Sequence, residues 1–381
     1  MNILFVINNL YGGGAEKVLQ TLVSNLCERN YNITLYSVID EELDTKVYPS
    51  KLSYKSIFKN VPDHCHPLKA FYIKLLNKLK LLIFHHLSPQ IFYKLFIGGN
   101  YDVEVAFIEG YSTKIVSGSI NKKSIKLAWV HIDLSENPWS RIAYRSLAQE
   151  INIYKTFDRI VCVSESVRKG FLKRFEEFDS LTVKYNPIDS EEIITSSEQP
   201  ANMKISNKPF LISIGRLEDQ KGYDRLLEVI KRLKNNNISV HLKILGEGSK
   251  RKELEAFIND NQLEDHVELL GYVDNPYPYL KNAQLYVASS RTEGFSTVVS
   301  EALVLGKPVL ATNCAGMNEL LGASEFGLIT ENSTEGIFKG IQEILLNKAL
   351  LERYVIQSEI RGKQFKLESS VLEIEKLWSH E

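Results

Sequence analysis

Short apolar runs of strand length alternate with helical patterns along this chain, in two separate series. The runs of the first series are 3–7, 33–38, 103–108, 127–130 and 160–163, and those of the second are 210–214, 240–245, 267–270, 285–288 and 309–311. Helical patterns such as 223–233 and 250–262 lie between them. Strands that alternate with helices in this way form parallel sheets covered by helices. The sequence therefore predicts an α/β chain with two Rossmann-like sheets.

The two series divide the chain into domains. Its 381 residues, 44% of them hydrophobic, are enough for two cores. We predict an N-terminal Rossmann-like domain, a linker, a C-terminal Rossmann-like domain, and a C-terminal helix that packs back toward the N-terminal domain; they cover 1–189, 190–208, 209–364 and 365–381. Open α/β sheets bind ligands beyond the carboxyl ends of their strands, so two such domains facing each other would form an interdomain cleft.

Charge and cysteine content exclude several classes of protein. The net charge of −1 gives no reason to expect a nucleic-acid partner. The four cysteines lie far apart without C-x-x-C spacing, which argues against a zinc site and a disulfide framework. The apolar start at 3–7 is too short for a signal peptide, and no run reaches the roughly 18 uncharged apolar residues of a membrane span. We therefore expect a cytoplasmic protein.

A basic block interrupts the first series. Residues 51–100 contain eight lysines and the single acid Asp63. Within 69–97, lysines combine with apolar residues at near-helical spacing, which is typical of helices that lie in a membrane interface. We expect this segment to contact the anionic inner face of the cell membrane. The alternative is an ordinary helix packed on the sheet with its lysines outward.

A glycine pair and an acidic residue, each after an apolar run of the first series, are candidate ligand contacts. Gly13 and Gly14 come between the first run and a helical pattern, where glycines let the backbone approach a phosphate or sugar. A dinucleotide fingerprint would need a third glycine where Lys17 stands, and a tight turn without a ligand is the alternative. Glu109 closes a later strand of the same sheet, where it could face an acceptor or be structural.

Two cations follow the first strand of the second series. Gly215 and Arg216 come directly after the run 210–214, and Lys221 lies in the loop before the next helix. Fixed cations at a strand's carboxyl end stabilise the negative charge that develops on a leaving nucleoside diphosphate. Loose surface charges are the alternative.

Two carboxylates separated by seven residues form the most informative pattern. Glu293 lies in a loop, Ser296 is a suitable N-cap, and a helix from Thr297 ends before Gly306, with Glu301 on the same face as Thr297. The free amides of the first helical turn point into the gap between the carboxylates. This arrangement offers a diphosphate site flanked by acceptors for a hexose and a ribose diol.

In these motifs the sequence resembles glycosyltransferase family four, the retaining enzymes of the GT-B fold that include bacterial surface-polysaccharide transferases. The resemblance spans nearly the whole chain, from the loop at Gly13 to the turn after Gly306. It implies that Glu293 contacts the donor hexose, that Glu301 contacts the ribose, and that Arg216 and Lys221 bind the diphosphate. The remaining donor-binding positions that it implies are the glycine loop of Gly246 and Gly248, Tyr272 beside the base, and the backbone of Phe295, Ser296, Thr297 and Val298.

The resemblance also implies that the N-terminal domain lies on the acceptor side and that the C-terminal domain binds the nucleotide sugar, and it implies a reaction. His131, at the end of a strand, matches the position that faces the donor sugar, although a structural histidine is the alternative. The expected reaction moves a hexose or N-acetylhexosamine from a nucleotide sugar, UDP-linked on family frequency, to a saccharide acceptor that is lipid-linked in many members. We expect no cofactor and no metal, since the Asp-x-Asp motif is absent from the sequence. The chain departs from the family at Cys314-Ala315-Gly316, where paired glycines are common.

Three other functions are compatible with parts of the sequence. A nucleotide-sugar epimerase can use the same fold and would convert the donor without an acceptor. A non-catalytic partner of a polysaccharide assembly complex would bind the donor without turnover. A nicotinamide-dependent oxidoreductase is disfavoured by Lys17.

Overall fold

The computed structural model of the chain describes residues 1–10, 12–40, 48–61, 65–200 and 209–379. The chain separates into two compact units. Unit 1 comprises Met1–Tyr185 and Val371–Glu381, and unit 2 comprises Asn186–Ser370. Residues 201–208 of the predicted linker lie outside the described residues.

Strands and helices alternate in both units. The strands are β1 (Asn2–Ile7), β2 (Asn32–Ile39), β3 (Ser53–Phe58), β4 (Val103–Ala106), β5 (Ile125–Val130), β6 (Arg159–Cys162), β7 (Leu181–Val183), β8 (Leu211–Ile214), β9 (Leu242–Leu245), β10 (Val267–Gly271), β11 (Leu285–Ala288), β12 (Val309–Thr312) and β13 (Leu328–Thr330). The helices are α1 (Gly14–Glu28), α2 (Pro67–His86), α3 (Pro89–Phe96), α4 (Tyr111–Val116), α5 (Leu147–Tyr154), α6 (Glu165–Phe175), α7 (Ser190–Ser197), α8 (Tyr223–Asn235), α9 (Arg251–Asp260), α10 (Tyr277–Asn282), α11 (Thr297–Val304), α12 (Met317–Leu321), α13 (Thr334–Leu346), α14 (Lys348–Gly362) and α15 (Leu367–Glu375).

Unit 1 contains a seven-stranded sheet in the order β3-β2-β1-β4-β5-β6-β7, in which all neighbours are parallel. Residues 3–7 of β1 are completely buried, as expected for a central strand covered on both faces. The strand order reverses between β1 and β4. This is the position at which open α/β sheets open a crevice for ligands at the carboxyl ends of their strands.

The end of the chain also belongs to unit 1. Arg29 on α1 forms an ion pair of 2.9 Å with Glu375, and Lys184 forms one of 2.8 Å with Glu373. Trp378 is 1% exposed, and its ring meets Tyr31 edge to face at a centroid distance of 6.5 Å. These contacts of Glu373, Glu375 and Trp378 are all with the first part of the chain.

Unit 2 contains a six-stranded parallel sheet in the order β10-β9-β8-β11-β12-β13. Its core joins the sheet to α8 and α13, whose apolar faces contribute Leu226, Ile230, Ile337 and Ile341. The strand order reverses between β8 and β11. The loops that follow these two strands consequently lie side by side at the switch point.

All ten predicted strands are present, and the structure adds β3, β7 and β13. Each added strand lies at an edge of its sheet. Edge strands are covered on fewer sides, and these three are partly exposed along most of their length. They therefore lack the continuous apolar run by which the central strands are recognised.

The predicted linker begins with a helix. Residues Ser190–Ser197 form α7, whose N-cap Asp189 accepts a hydrogen bond from the Glu192 amide. Ile193 on this helix is buried in a small cluster with Tyr277 of α10. The first part of the predicted linker is therefore integral to unit 2.

Helix α2 turns much of its apolar surface outward. Leu68, Tyr72, Leu75, Leu79 and Leu82 repeat at intervals of three and four residues and are between 49% and 75% exposed. Phe84 is the one residue of this helix that is buried. An ordinary helix packed on the sheet would bury such a stripe, so the exposure of these side chains favours the interfacial alternative.

One basic residue of α2 lies inward. Lys80 donates a hydrogen bond of 2.5 Å to the Ile57 carbonyl, and its ammonium lies 5.6 Å from the Phe96 ring centroid. Burial lowers the pKa of Lys80. Lys69, Lys74 and Lys78 are exposed beside the apolar stripe. In the described part of the chain, no helix is both long and apolar enough to cross a membrane.

Candidate active site

An ion pair lies at the switch point of unit 2. Lys221 comes after β8 and Glu293 comes after β11, and the Lys221 Nζ donates to Glu293 Oε1 at 2.6 Å. The Ser290 hydroxyl donates to the same oxygen, also at 2.6 Å. Glu293 is 8% exposed. Two donors on one oxygen hold this carboxylate in a single orientation.

Hydrogen bonds between the two loops fix the position of the pair. Ser289 donates its hydroxyl to the Lys221 carbonyl at 2.8 Å, and the Gln220 side chain donates to the Thr292 carbonyl at 2.9 Å. The Arg291 amide donates to the Gln220 carbonyl at 2.7 Å. These contacts rigidify the loops on which the two predicted site residues stand.

The predicted glycines are required for close packing of neighbouring loops. A Cβ on Gly246 would lie 2.0 Å from the Gly215 carbonyl oxygen, and one on Gly248 would lie 2.4 Å from that of Leu217. The Gly246 amide donates to the Gly271 carbonyl at 2.7 Å, which joins the loop after β9 to the end of β10. Tyr272 follows and is 65% exposed. The loops after β8, β9 and β10 thus form one connected surface.

Helix α11 begins and ends as its sequence predicts. Ser296 is the N-cap, and its side chain accepts a hydrogen bond from the Val299 amide at 3.4 Å. Gly306, just past the end of the helix, has φ +64°. The other amides at the start of such a helix have no intrahelical acceptor and attract anions. The structure thus brings Phe295, Ser296, Thr297 and Val298 to the edge that holds Glu293.

Glu301 lies one turn into α11. It is 4% exposed, and the Tyr277 hydroxyl lies 3.4 Å from its Oε1. Thr297, four residues earlier on the same face, is 8% exposed. Glu293 and Glu301 are therefore carried by one loop-and-helix element.

Arg216 differs from Lys221 in its surroundings. Its side chain is exposed, and its carbonyl accepts the Glu218 amide at 2.8 Å. The pKa of Glu218 is lowered, first by hydrogen bonds from Ser249 and to a smaller extent by the Arg216 charge. Arg216 is therefore a solvent-facing cation on the same loop as Lys221.

The predicted unit 1 residues lie together near its own switch point. Both Glu109 oxygens accept hydrogen bonds, one from the His131 amide at 3.1 Å and one from the Trp139 indole at 3.0 Å. Glu109 is 1% exposed, and burial raises its pKa to about 7. These bonds tie the loop after β4 to two positions in the segment after β5. A carboxyl with this pKa can hold or release a proton near neutral pH.

The His131 ring has one satisfied and one unsatisfied nitrogen. Its ring bonds the Phe107 backbone, whereas Nε2 is buried without a partner among the described residues. Burial lowers the pKa of His131 to about 4, so the ring is neutral at pH 7. The ring also packs on Phe107 at a centroid distance of 5.0 Å. An unsatisfied buried polar atom is uncommon in native proteins and asks for a functional explanation.

The glycine loop of unit 1 begins α1. Gly13 is the N-cap with extended backbone, and Gly14 is the first helical residue and is exposed. Asn8, at the end of β1, accepts hydrogen bonds from the Ser112 amide and hydroxyl at 3.2 and 2.8 Å. The loop after β1 is thus next to the start of α4.

Residues 195–360 match the family model described as glycosyl transferases group 1. A Campylobacter jejuni relative, named N-acetylgalactosamine-N,N'-diacetylbacillosaminyl-diphospho-undecaprenol 4-alpha-N-acetylgalactosaminyltransferase, is 26% identical over 94% of both chains. An uncharacterized glycosyltransferase of Haemophilus influenzae is 24% identical over 97% of both chains. Residues 195–360 are therefore similar to group 1 glycosyl transferases, and these matches together indicate a glycosyltransferase. This finding confirms the resemblance to glycosyltransferase family four.

Solved structures establish the fold of this glycosyltransferase. Anabaena HepE in complex with UDP and glucose superposes with a TM-score of 0.76 at 19% identity and covers 100% of both chains. Sucrose-phosphate synthase from Thermosynechococcus elongatus gives 0.76 at 16% identity, over 99% of this chain and 98% of that one. The predicted GT-B fold, with its two Rossmann-like sheets, is confirmed.

Sequence reasoning missed two hydroxyl side chains of this glycosyltransferase. Ser290 orients Glu293, and Tyr277 lies beside Glu301. Ser290 is the second residue after β11, as Arg216 is after β8, so the criterion that singled out Arg216 would have found it. Tyr277 carries no comparable signal, because only folding brings α10 beside α11.

Proposed function

We propose that this glycosyltransferase moves a hexose or N-acetylhexosamine from a UDP-linked donor to a lipid-linked saccharide in cell-surface polysaccharide synthesis, with retention of anomeric configuration. The main support is the Lys221–Glu293 pair beside the start of α11. The names of the Campylobacter jejuni relative and of the HepE complex agree with a lipid-linked acceptor and with UDP, respectively.

Unit 2 carries the groups that we assign to the diphosphate. Lys221, Arg216 and the first-turn amides of α11 supply positive charge and hydrogen-bond donors at one sheet edge. Negative charge grows on the diphosphate as the glycosidic bond breaks. Fixed donors therefore stabilise the transition state more than the bound donor.

The same unit carries the groups that we assign to the two sugars. Oε1 of Glu293 accepts hydrogen bonds from Lys221 and Ser290. We assign Oε2, the other oxygen, to accept a hydrogen bond from a hexose hydroxyl. Glu301 accepts from the ribose diol, with Tyr277 limiting its rotation. Ribose contacts do not change during bond cleavage, so Glu301 contributes to donor affinity rather than to turnover.

Two unit 1 residues are assigned to the transferred sugar and the acceptor. The neutral His131 ring offers its unsatisfied Nε2 to a sugar hydroxyl. Glu109 orders this strand end and, with its pKa of about 7, accepts a proton from an acceptor hydroxyl. We expect no metal requirement, since the cations above neutralise the leaving group.

We further propose that α2 holds the enzyme on the anionic inner face of the cell membrane. An outward apolar stripe flanked by Lys69, Lys74 and Lys78 has the composition of an interfacial helix. Each lysine near an anionic membrane surface contributes about 1 kcal/mol to the free energy of membrane binding. A lipid-linked acceptor is reached at that surface.

The test uses the full chain with UDP-glucose, UDP-N-acetylglucosamine and UDP-N-acetylgalactosamine. Thermal unfolding with each donor shows which one binds, and transfer to a lipid-linked saccharide fraction is then followed with excess EDTA present. Proton NMR of the product assigns the anomer. Conversion of the donor without an acceptor would instead indicate an epimerase, and donor binding without turnover would indicate a non-catalytic partner. A strict manganese or magnesium requirement would contradict the metal-independent mechanism.

A further inference from the structure

Three basic side chains from separate elements of unit 1 meet near the end of α2. His85 is in the last turn of α2, Lys114 is in α4, and Arg145 follows the 3-10 turn Trp139–Ala143. The Arg145 guanidinium donates to the His85 carbonyl. The Lys114 ammonium donates to the Ala143 carbonyl at 3.0 Å. These residues are called the basic cluster below.

The basic cluster is not neutralised by nearby acids in the described part of the chain. Lys114 is 2% exposed, and its pKa is lowered to about 8 by burial and then by the Arg145 charge. The pKa of His85 is lowered by burial and then by Lys114, His86 and Arg145. Every charge that acts on these two groups is therefore positive. The Phe84 ring, with its centroid 4.2 Å from the Lys114 Nζ, provides a cation–π contact.

An open cavity of about 460 Å³ adjoins the basic cluster. Its lining is uncharged and consists of Pro89, Gln90, Ser117, Ser146, Ala148, Gln149, Asn152, Ile153 and Thr156. The Ser117 hydroxyl donates to the Lys114 carbonyl at 2.8 Å, and the Arg145 amide donates to Gln149 Oε1 at 2.7 Å. The cavity has the size of a small-molecule site. Two lining residues of the cavity are thus hydrogen-bonded to the backbone of two residues of the basic cluster.

Exposed apolar side chains lie on the elements that carry the basic cluster. Leu82 precedes His85 by one helical turn and is 49% exposed, and Leu87 is 46% exposed. Ile142 and Leu147 flank Arg145 in the chain and are 58% and 48% exposed. Positive charge, an uncharged cavity and an apolar rim suit an anion that carries an apolar chain.

We propose that the basic cluster and its cavity bind a phosphate or diphosphate ester of an apolar chain. Arg145 and His85 hold the phosphate, and the chain enters the cavity past Ala148. Lys114 is too buried to touch the ligand and supplies positive potential. Resting on the proposed function, this inference places the phosphate end of the lipid-linked acceptor in unit 1. The same chemistry fits a membrane phospholipid headgroup.

The experiment measures binding of farnesyl diphosphate to the full chain by calorimetry, without a sugar donor. Farnesol and inorganic diphosphate test the two halves of the site, and we expect each to bind at least tenfold more weakly than farnesyl diphosphate. Arg145→Gln and His85→Asn should each lower the affinity for farnesyl diphosphate about tenfold to a hundredfold, because each removes a charge-assisted hydrogen bond to the phosphate. Ala148→Trp should fill the cavity and lower the affinity for farnesyl diphosphate, while the affinity for inorganic diphosphate should not change.

Matched variants separate the site from general effects. Arg145→Lys should retain most of the affinity, and Lys123→Gln, an exposed charge elsewhere in unit 1, should retain all of it. Leu75→Ser on the outward stripe of α2 should also bind normally. Unchanged affinity in Arg145→Gln or in Ala148→Trp, with unfolding temperatures unaltered, would overturn the proposal.

Two further measurements identify the source of the ligand and separate this proposal from the proposed function. Tighter binding of farnesyl diphosphate than of dihexanoyl phosphatidylglycerol assigns the site to a lipid-linked diphosphate, and equal binding assigns it to phospholipid headgroups; binding of neither overturns the site. UDP-sugar binding is measured on the same samples. Farnesyl diphosphate binding that depends on Arg145, in a protein that binds no UDP-sugar, would refute the proposed donor and support this site.

Discussion

Lys221 and Glu293 lie 72 positions apart in the chain, yet their side chains meet at 2.6 Å. Their loops follow β8 and β11, the two strands between which the order of the unit 2 sheet reverses. The pair therefore results from the topology rather than from local sequence. It places a cation and an acceptor side by side at the position where α/β sheets bind ligands.

Lys221→Ala is expected to lower turnover about a hundredfold to a thousandfold, as for removal of one transition-state donor. Arg216→Ala should have a smaller effect of the same kind, because its exposed charge is screened by solvent. Steady-state kinetics should show a fall in kcat with little change in KM. Lys252→Ala, an exposed charge in α9, is the control. Normal kcat in Lys221→Ala would remove the diphosphate assignment.

Glu301→Ala is expected to raise the KM for the donor about tenfold or more, with kcat nearly unchanged, because ribose contacts are equal in ground and transition states. Tyr277→Phe should have a weaker effect in the same direction, since its hydroxyl only restrains Glu301 at 3.4 Å. Donor titrations and initial rates measure both. A fall in kcat at unchanged KM would instead assign Glu301 to the chemical step.

His131→Ala and His131→Phe are both expected to lower turnover more than tenfold. The Phe variant keeps a ring against Phe107, so packing loss alone cannot explain a low rate. Loss of Nε2 should change the unfolding temperature little, because this atom has no hydrogen-bond partner among the described residues. Rates near normal in both variants would make His131 structural.

Glu109 predicts a pH dependence of stability. Burial raises its pKa from 4.5 to about 7, so between these values the folded state retains a proton that the unfolded chain has released. The free energy of unfolding should therefore fall as pH rises through this window, by about 3 kcal/mol from this group.

Urea unfolding from pH 4.5 to 7 measures how steeply the free energy of unfolding falls with pH. The fall should be smaller in Glu109→Gln than in the wild type. Glu177→Gln, an exposed carboxyl in unit 1, should keep the wild-type slope. A slope in Glu109→Gln equal to that of the wild type would mean that other groups cause it.

Sedimentation with vesicles tests the membrane contact of α2. The chain should pellet with phosphatidylglycerol vesicles and less with neutral phosphatidylcholine vesicles, and added salt should weaken the binding. Changing Lys69, Lys74 and Lys78 to glutamate should release it, whereas the same changes at the exposed Lys122, Lys123 and Lys169 should not. Equal recovery in the supernatant under all conditions would leave the outward stripe without a lipid partner.

The sequence by itself determined the sheet class, ten of the strands and the geometry around α11. Central parallel strands are buried on both faces, so their apolar runs are visible without the structure. The N-cap Ser296 and the stop at Gly306 act within one helix, so local sequence was enough to predict them.

Only the tertiary structure decided which side chains meet. The partners of Glu293 include Lys221, and those of Glu109 include Trp139, because strand order and loop packing bring distant segments together. The inward position of Lys80 and the outward stripe of α2 likewise depend on where that helix contacts the rest of unit 1. Periodicity defines the faces of a helix, but the face that is buried is set by the neighbouring elements.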